Sequence, residues 1–549
     1  MDRDPETWLD ESLKISSYLL VAGLLSVILL CFYRICLHPL AQFPGPFISK
    51  ITDWSIVFQA ASGDRHIETW TEHEKYGSIV RIGPNTLSFN TVTALKTIYS
   101  SRKANVQKAN WYRTIDAGSK AFSVHSEIDK SRHAFRRRVL DQAFSESALS
   151  DAQSFILEDV KTWVVCLGAD IEKRGWTVAR NMKDWCNWLG FDMMGDLTFG
   201  KSFGCVTKGE HRFVPDVVMD STKFVYVAGF WPFISLIRPL FGTIWMSLFS
   251  TKNAKENDAY IKYAIALMEE RMAAENQETD EKSATKPAKR KDFIHFLLHA
   301  RDPETGRGLS IHELHADSAL LIHAGSDTTA LTLSSTTFYL VHNEAVLSIL
   351  QAQIRRTFPT LDSIRSGPEL TSLTYLRACI DEAMRMAPPV PSHLPREVMA
   401  GGIEIDGHYF PKGTVVGVAP WTIHHNAAYY PDPFTYNPDR WIVSEGEGKD
   451  KEESVALARA AFCPFGIGPR GCAGKRLAYL ELSLALATLL WVYDLKLDSS
   501  TGTSRLPTKK KTRCAEVRNR ADVYQLWDHF VADREGPVIH LKKRADVDL

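Results

Sequence analysis

The chain opens with an acidic stretch (Asp2, Asp4, Glu6, Asp10, Glu11) and then runs from Ile15 to Tyr33 without one charged residue. Leu, Val and Ile dominate that run, and at about 1.5 Å per residue a helix of its length spans roughly the hydrocarbon core of a bilayer. A cleaved signal peptide would have a shorter apolar run behind a basic start. Here the basic residues Arg34, His38 and Lys50 follow the run instead. The positive-inside rule then predicts residues 1–14 in the lumen, 15–33 as a transmembrane anchor and the remainder on the cytosolic side. His38-Pro39-Leu40-Ala41-Gln42-Phe43-Pro44-Gly45-Pro46 is stiffened by its prolines, so residues 34–50 read as a rigid hinge between anchor and body.

Beyond the hinge the pattern is chiefly helical. Ile79–Ile82 and Thr86–Phe89 flank Gly83-Pro84-Asn85 and predict a hairpin, part of a small sheet. Ile128 to Ala143 has helical period and puts His133 and Arg137 on one face, which suits either a clamp for carboxylates or a solvated basic surface. The apolar, aromatic stretch Phe224–Ile237 suits core, a lid over an apolar pocket or a second membrane contact. Residues 273–291 turn polar and charged and predict a surface loop, because the helical pattern resumes at Asp292. Ser310 and Glu313 have the spacing of a capping box, so a helix begins at Ile311 and runs roughly 45 Å to about Val341.

In the middle of that helix lies Ala324-Gly325-Ser326-Asp327-Thr328-Thr329. A glycine there costs about 1 kcal/mol against alanine, and an acid beside an alcohol in an apolar helix is expensive unless used. His323, just before it, reads as a packed core histidine, with an active-site role as the alternative. A further helix from about Leu373 is stopped by Pro388-Pro389 and carries Glu382 and Arg385 at ion-pair spacing. Short strands follow near Ile403–Ile405 and Thr414–Val418, then a loop-rich run with Pro438-Asp439-Arg440-Trp441. The last long helix aligns Leu477, Leu480, Leu484, Ala487 and Trp491 along one core-facing stripe.

Composition narrows the chemistry. The chain has 549 residues, 45% hydrophobic and 24% charged, an ordinary globular balance whose length alone allows two or three domains. Its formal net charge of zero gives no general attraction to nucleic acid. The nine cysteines are scattered, odd in number and never in CxxC spacing, so a disulfide framework is not expected. The absence of any N-x-S/T sequon fits a body on the cytosolic side. Adjacent His424 and His425 would project differently and do not read as a metal pair.

One cysteine is set apart. Phe465-Gly466-Ile467-Gly468-Pro469-Arg470-Gly471-Cys472-Ala473-Gly474 presents Cys472 from a glycine-rich loop directly before a helix. A helix N-terminus favours a thiolate. A single thiolate suits axial ligation of haem iron, whereas zinc or an iron–sulfur cluster would need more cysteines nearby.

Four motifs therefore occur in one order: Ala324-Gly325-x-Asp327-Thr328, Glu382-x-x-Arg385, Pro438-Asp439-Arg440-Trp441 and the Phe465–Gly474 loop. Together they resemble the cytochrome P-450 family of haem-thiolate monooxygenases over nearly the whole chain. The loop matches the pattern FxxGxRxCxG at every fixed position, and the anchor with its proline-rich hinge looks like the membrane-bound, fungal class II arrangement. The resemblance implies a mainly α fold with small β-sheets (α+β), one haem-thiolate catalytic domain over residues 51–549 behind the anchor, and haem b (iron protoporphyrin IX) as cofactor. Cys472 would be the axial iron ligand. Phe465 would pack on the sulfur side, with Gly466, Gly474 and Ala324 beside the haem. Arg470, His133, Arg137 and Arg396 would hold the propionates, although tryptophan is commoner in the family at the position of His133. Arg132, Arg136 and Arg138 would stay exposed and steer an acidic redox partner. Glu382, Arg385 and Arg440 would form a structural network. Asp327 and Thr328 would relay protons to bound dioxygen, and Gly325 would open a groove above the iron.

The implied activity is insertion of one atom of O2 into a hydrophobic small molecule of fungal secondary metabolism. Electrons would come from NADPH through a membrane-bound NADPH–cytochrome reductase, a flavoprotein, with cytochrome b5 as a second donor, at the endoplasmic reticulum membrane. The Phe224–Ile237 and Pro389–Leu394 stretches are the expected substrate walls. Two rivals remain: a non-oxidative haem-thiolate isomerase or dehydratase, and a haem-binding sensor without catalysis. Neither has an evident need for the acid–alcohol pair.

Overall fold

A computed structural model describes residues 5–117, 119–171, 175–241, 262–275, 291–498 and 514–545. Helix Pro5–Phe32 continues through a wide turn, Tyr33–Leu37, and the stretch Ser12–Leu37 is long and apolar enough to cross a membrane. The chain after it is docked firmly to the body. Leu40 and Phe43 are buried. Arg81, itself buried, donates to the carbonyls of Arg34 (2.9 Å) and Pro84 (2.8 Å), and its own N–H donates to Pro44 (2.7 Å). A Cβ at Gly45 would stand 2.2 Å from the Arg81 carbonyl, so only glycine lets the hinge pass there. Of the polar segment expected as a loop, residues 276–290 lie outside the described residues, while 273–275 end a helix that begins at 262.

The centre of the body is the helix Ile311–His342, which starts where the capping box placed it: Glu313 Oε2 accepts the Ser310 N–H at 2.9 Å. Its buried second half is rich in hydroxyls, and most of them donate to carbonyls one turn back on the helix itself. Thr336 Oγ1 donates to the Thr332 carbonyl (2.7 Å) and Thr337 Oγ1 to that of Leu333 (2.9 Å). Helix Met182–Phe199 lies against it at very close range. A Cβ on Gly325 would meet Met194 Sδ at 2.4 Å, and one on Gly190 would meet the Ser326 carbonyl at 2.7 Å. Of the two, the Gly190 contact is with backbone, which cannot yield, whereas the Met194 side chain at Gly325 can turn aside. The helices Glu146–Leu167, Thr374–Met386 and Lys475–Val492 complete the same hydrophobic core.

The expected hairpin, Ile79–Gly83 with Thr86–Phe89, is one edge of a five-stranded sheet. Thr86–Phe89 pairs in parallel with Val415–Val418, which pairs with Arg396–Val398, which pairs with Val106–Lys108. The sheet is larger than the hairpin alone foretold, and it matters for function, because its far edge delivers Lys108 and Arg396 side by side. Two further hairpins (Ile403–Ile405 with His408–Phe410, Leu526–His529 with Val531–Arg534) and a three-stranded sheet make up the rest of the β structure among the described residues. The whole is mainly helical with small sheets.

Candidate active site

The cysteine loop is shaped by its own backbone. The Cys472 N–H donates to the Phe465 carbonyl (2.8 Å) and the Gly466 N–H to that of Cys463 (2.9 Å). Gly466 (φ +62°) and Gly468 (φ +70°) occupy the left-handed region, and a Cβ at Gly468 would collide with the Tyr99 carbonyl at 2.1 Å. Helix Lys475–Val492 begins just after Gly474. Cys472 is a free, exposed cysteine closely surrounded by protein atoms, and this surrounding pushes its thiol up. The Gly474 N–H, Arg137 and Lys475 pull the other way, but they do not outweigh burial. A bound metal cation would add to that pull and favour the thiolate. Phe465 is half-buried, 5.1 Å from the Tyr479 ring.

A cationic cavity adjoins the loop. Lys108, His133, Arg137, Arg396 and Arg470 line it together. Lys108, His133 and Arg396 are buried. Among the described residues none of Lys108, His133, Arg396 and Arg470 has a carboxylate within ion-pair distance. Arg470 donates to the carbonyls of Glu127 (2.6 Å) and Ile128 (3.0 Å), Arg396 to that of Leu394 (3.2 Å), and Lys108 to that of His125. Burial, then repulsion from neighbouring cations, holds the His133 imidazole down to about 2, the Arg470 guanidinium down to about 10 and the Lys108 ammonium well below its usual range. Basic groups that repel one another in one cavity, with a neutral imidazole as a further donor, fit a ligand that brings carboxylates. The donor set therefore suits haem propionates. Lys108 was not singled out from the sequence, since a lysine in a three-residue strand carries no local signal.

The basic helix Lys130–Leu140 needs one correction. Arg136 does not stay exposed: it is buried and pairs with Asp317 of the central helix at 2.5 Å. Arg138 is engaged by Asp302 (2.5 Å) and Glu304 (2.9 Å). Only Arg132 of the three keeps most of its side chain in solvent, 67%. The reason is helical geometry: Arg136 projects toward the core beside Val139 and Leu140, and the acid waiting there is far away in sequence. Arg137 lines the cavity, yet its guanidinium already donates to the Gly471 carbonyl (2.5 Å) and Asp141 (2.6 Å), which makes it a brace for the cysteine loop.

The central helix exposes Ala324 and half-exposes Thr328, although it is buried on both sides of them. Thr328 Oγ1 donates to the Ala324 carbonyl at 2.6 Å. Asp327 is buried, its Oδ1 has no hydrogen-bond partner among the described residues, and burial pushes its carboxyl up to about 7. Burial likewise lowers His323 to about 4, so its ring is neutral. A second buried acid, Glu481 on the helix after Cys472, accepts Thr329 Oγ1 at 3.0 Å and is pushed up to about 8. Its only sequence signal is a glutamate interrupting an apolar helix.

Behind the loop, Glu382 and Arg385 are both fully buried and joined by two bonds of 2.8 and 2.9 Å. Arg385 also donates to the carbonyls of His424 (2.9 Å) and Pro433 (2.7 Å). Glu382 takes Arg440 Nε (3.4 Å), the Asn437 N–H (3.1 Å) and Trp441 Nε1 (2.9 Å). The helix thereby grips the whole Pro438–Trp441 turn.

Comparison with known proteins agrees with this geometry. A family model described as cytochrome P450 matches residues 47–518. The chain is 38% identical to the cytochrome P450 monooxygenase fscF of Fusarium equiseti, covering 96% of each chain. It is 35% identical to the cytochrome P450 monooxygenase AKT7 of Alternaria alternata over 93% of this chain and 94% of the relative. It is 33% identical to the cytochrome P450 monooxygenase atnE of Emericella nidulans over 95% and 96%. With a lone cysteine in a glycine-shaped loop, a carboxylate-seeking cavity beside it and fungal relatives matched over almost their full length, the chain belongs to the cytochrome P450 family of monooxygenases.

Proposed function

We propose that residues 51–549 form a haem-thiolate catalytic domain that hydroxylates a hydrophobic small molecule of fungal secondary metabolism. Residues 15–33 would anchor it in the endoplasmic reticulum membrane, with residues 1–14 lumenal and 34–50 as the hinge. Haem b supplies dioxygen activation when bound. Cys472 would hold its iron, with Phe465, Gly466, Gly474 and Ala324 around it, and Arg470, His133, Arg396 and Lys108 would bind its propionates. Arg137 would steady the loop from below. The observation that carries this reading is the cluster of basic side chains with no ion-paired carboxylate among the described residues, Lys108, Arg396 and Arg470, beside an exposed cysteine.

The residues opposite the cysteine favour oxygenation over a redox-neutral rearrangement. A carboxyl held near 7 can take a proton from solvent and release it at neutral pH. Thr328, one residue on, would place its hydroxyl at the reacting oxygen once it turns from the Ala324 carbonyl. NADPH–cytochrome reductase is the expected electron donor, with cytochrome b5 assisting. The exposed Arg132 and Lys475 flank the cysteine loop where an acidic partner would dock. Substrate turnover in membranes with and without NADPH and reductase tests the reading. Strict dependence on both is expected, and turnover without them would establish a non-oxidative enzyme instead.

A further inference from the structure

Outside that cavity, three metal-ligating side chains converge where helix 262–275 meets helix Phe293–His299. His295 and His299, one turn apart, share a face with ring centroids 4.6 Å apart. Glu275, at the end of the other helix, brings Oε1 to 2.7 Å from His295 Nδ1 and 3.9 Å from His299 Nδ1. One ligand atom from each of the three lies within 4.8 Å of the others. Glu275 is buried, His295 partly so, and His299 has 53% of its side chain exposed, so the group is open on one side only.

The carboxylate is already oriented from behind. Arg271 Nη1 holds Glu275 Oε2 at 3.0 Å, while Arg271 Nε binds Asp292 Oδ2 at 2.6 Å. Asp292 Oδ1 in turn accepts the His295 N–H at 2.9 Å, capping the helix that carries both imidazoles. Arg271 thus bridges the two carboxylates and sets the direction of Glu275. Outer partners of this sort fix ligand direction and support metal affinity.

We propose that Glu275, His295 and His299 bind a zinc ion, with water in a fourth position on the solvent side of His299. Two imidazoles and one carboxylate suit zinc, whose bonds to such ligands are about 2.0–2.2 Å, whereas calcium and magnesium take oxygen sets. Tetrahedral bonds of that length put donor atoms roughly 3.3 Å apart. The present separations of 2.7 and 3.9 Å bracket that value, so small shifts of the exposed His299 and of His295 complete the geometry. His295 Nδ1 now faces Glu275 and His299 Nδ1 faces the His295 carbonyl at 2.7 Å. On binding, Nδ1 of each ring would turn from these hydrogen-bond partners to the metal, with the ring N–H on Nε2. The ion would clamp two helices that the chain joins through residues 276–292.

The test is calorimetric titration of the tag-free, haem-loaded protein with zinc chloride after chelator treatment. One saturable equivalent is expected, with zinc X-ray absorption showing two imidazole ligands. His299→Ala, an exposed change that leaves the fold intact, should weaken binding at least about tenfold. Glu275→Gln should do the same, and His408→Ala, which removes another exposed histidine, should leave binding unchanged. Absence of a saturable equivalent, or equal affinity in His299→Ala and the unaltered chain, would overturn the site.

Discussion

Lys108 stands directly opposite Arg396 in the antiparallel pairing of Val106–Lys108 with Arg396–Val398, two buried cations face to face in a sheet. Like charges in direct cross-strand register destabilise a sheet by roughly 0.2–1 kcal/mol, and burial adds to that. A ligand that brings carboxylates would relieve that repulsion. Lys108→Met should therefore stabilise the haem-free protein by about 1 kcal/mol while speeding haem transfer to an acceptor apoprotein. Thermal unfolding of the haem-free form and the transfer rate read the two effects separately. A variant that unfolds earlier and keeps its haem as well as before would remove Lys108 from the propionate cradle.

The Glu382–Arg385 pair carries a stability prediction. Both side chains are fully buried, so removing one strands the other's charge. Glu382→Ala should cost about 3–5 kcal/mol. The loss should appear as a lower unfolding midpoint and poor haem incorporation. An Arg385→Lys variant should fail too, because lysine cannot reproduce the two bonds to Glu382 together with those to His424 and Pro433.

Glu481 predicts a pH dependence of stability. Its carboxyl is pushed up to about 8 by burial, against about 4.3 in an unfolded chain. The folded state thus holds the extra proton between those values, and stability falls as pH rises through that window. The penalty is complete above about pH 8 and absent below about pH 4, with an upper bound of about 5 kcal/mol. Glu481→Gln can still accept Thr329 Oγ1 and should flatten the curve, matching the unaltered protein at low pH and exceeding it above pH 8. Parallel curves from denaturant titrations across pH would show that Glu481 is ionised in the fold.

Asp327 and Thr328 predict a pattern in product formation. Asp327 donates a proton only while protonated, so the fraction of NADPH converted to product should drop as pH rises through about 7. Asp327→Asn should lower the rate by roughly 10²-fold and lose that pH dependence. Thr328→Ala should divert NADPH electrons to peroxide. Normal coupling in Thr328→Ala would deny the hydroxyl any part in proton delivery.

Much of this site could be read from residues alone. The capping box at Ser310, the Glu382–Arg385 spacing and the cysteine loop are local patterns, and each lies where its spacing placed it. What escaped depends on partners distant in sequence. Arg136 looked like a solvated cation because Asp317 lies 181 residues away. Lys108 gained its meaning from pairing with Arg396 across the sheet. Gly190 carried no signal along the chain, yet the Ser326 carbonyl of the facing helix leaves no room for a Cβ there. Charge and contact across the fold, rather than period along the chain, decide these roles.

Iron ligation by Cys472 is tested most directly by the absorption spectrum of the reduced protein under carbon monoxide. The unaltered chain is expected to give the red-shifted Soret band of a thiolate-ligated haem, and Cys472→Ala is expected to lose it while Glu382, Arg385 and the rest of the fold remain. An identical thiolate-type band in Cys472→Ala would contradict the assignment and place the ligand elsewhere.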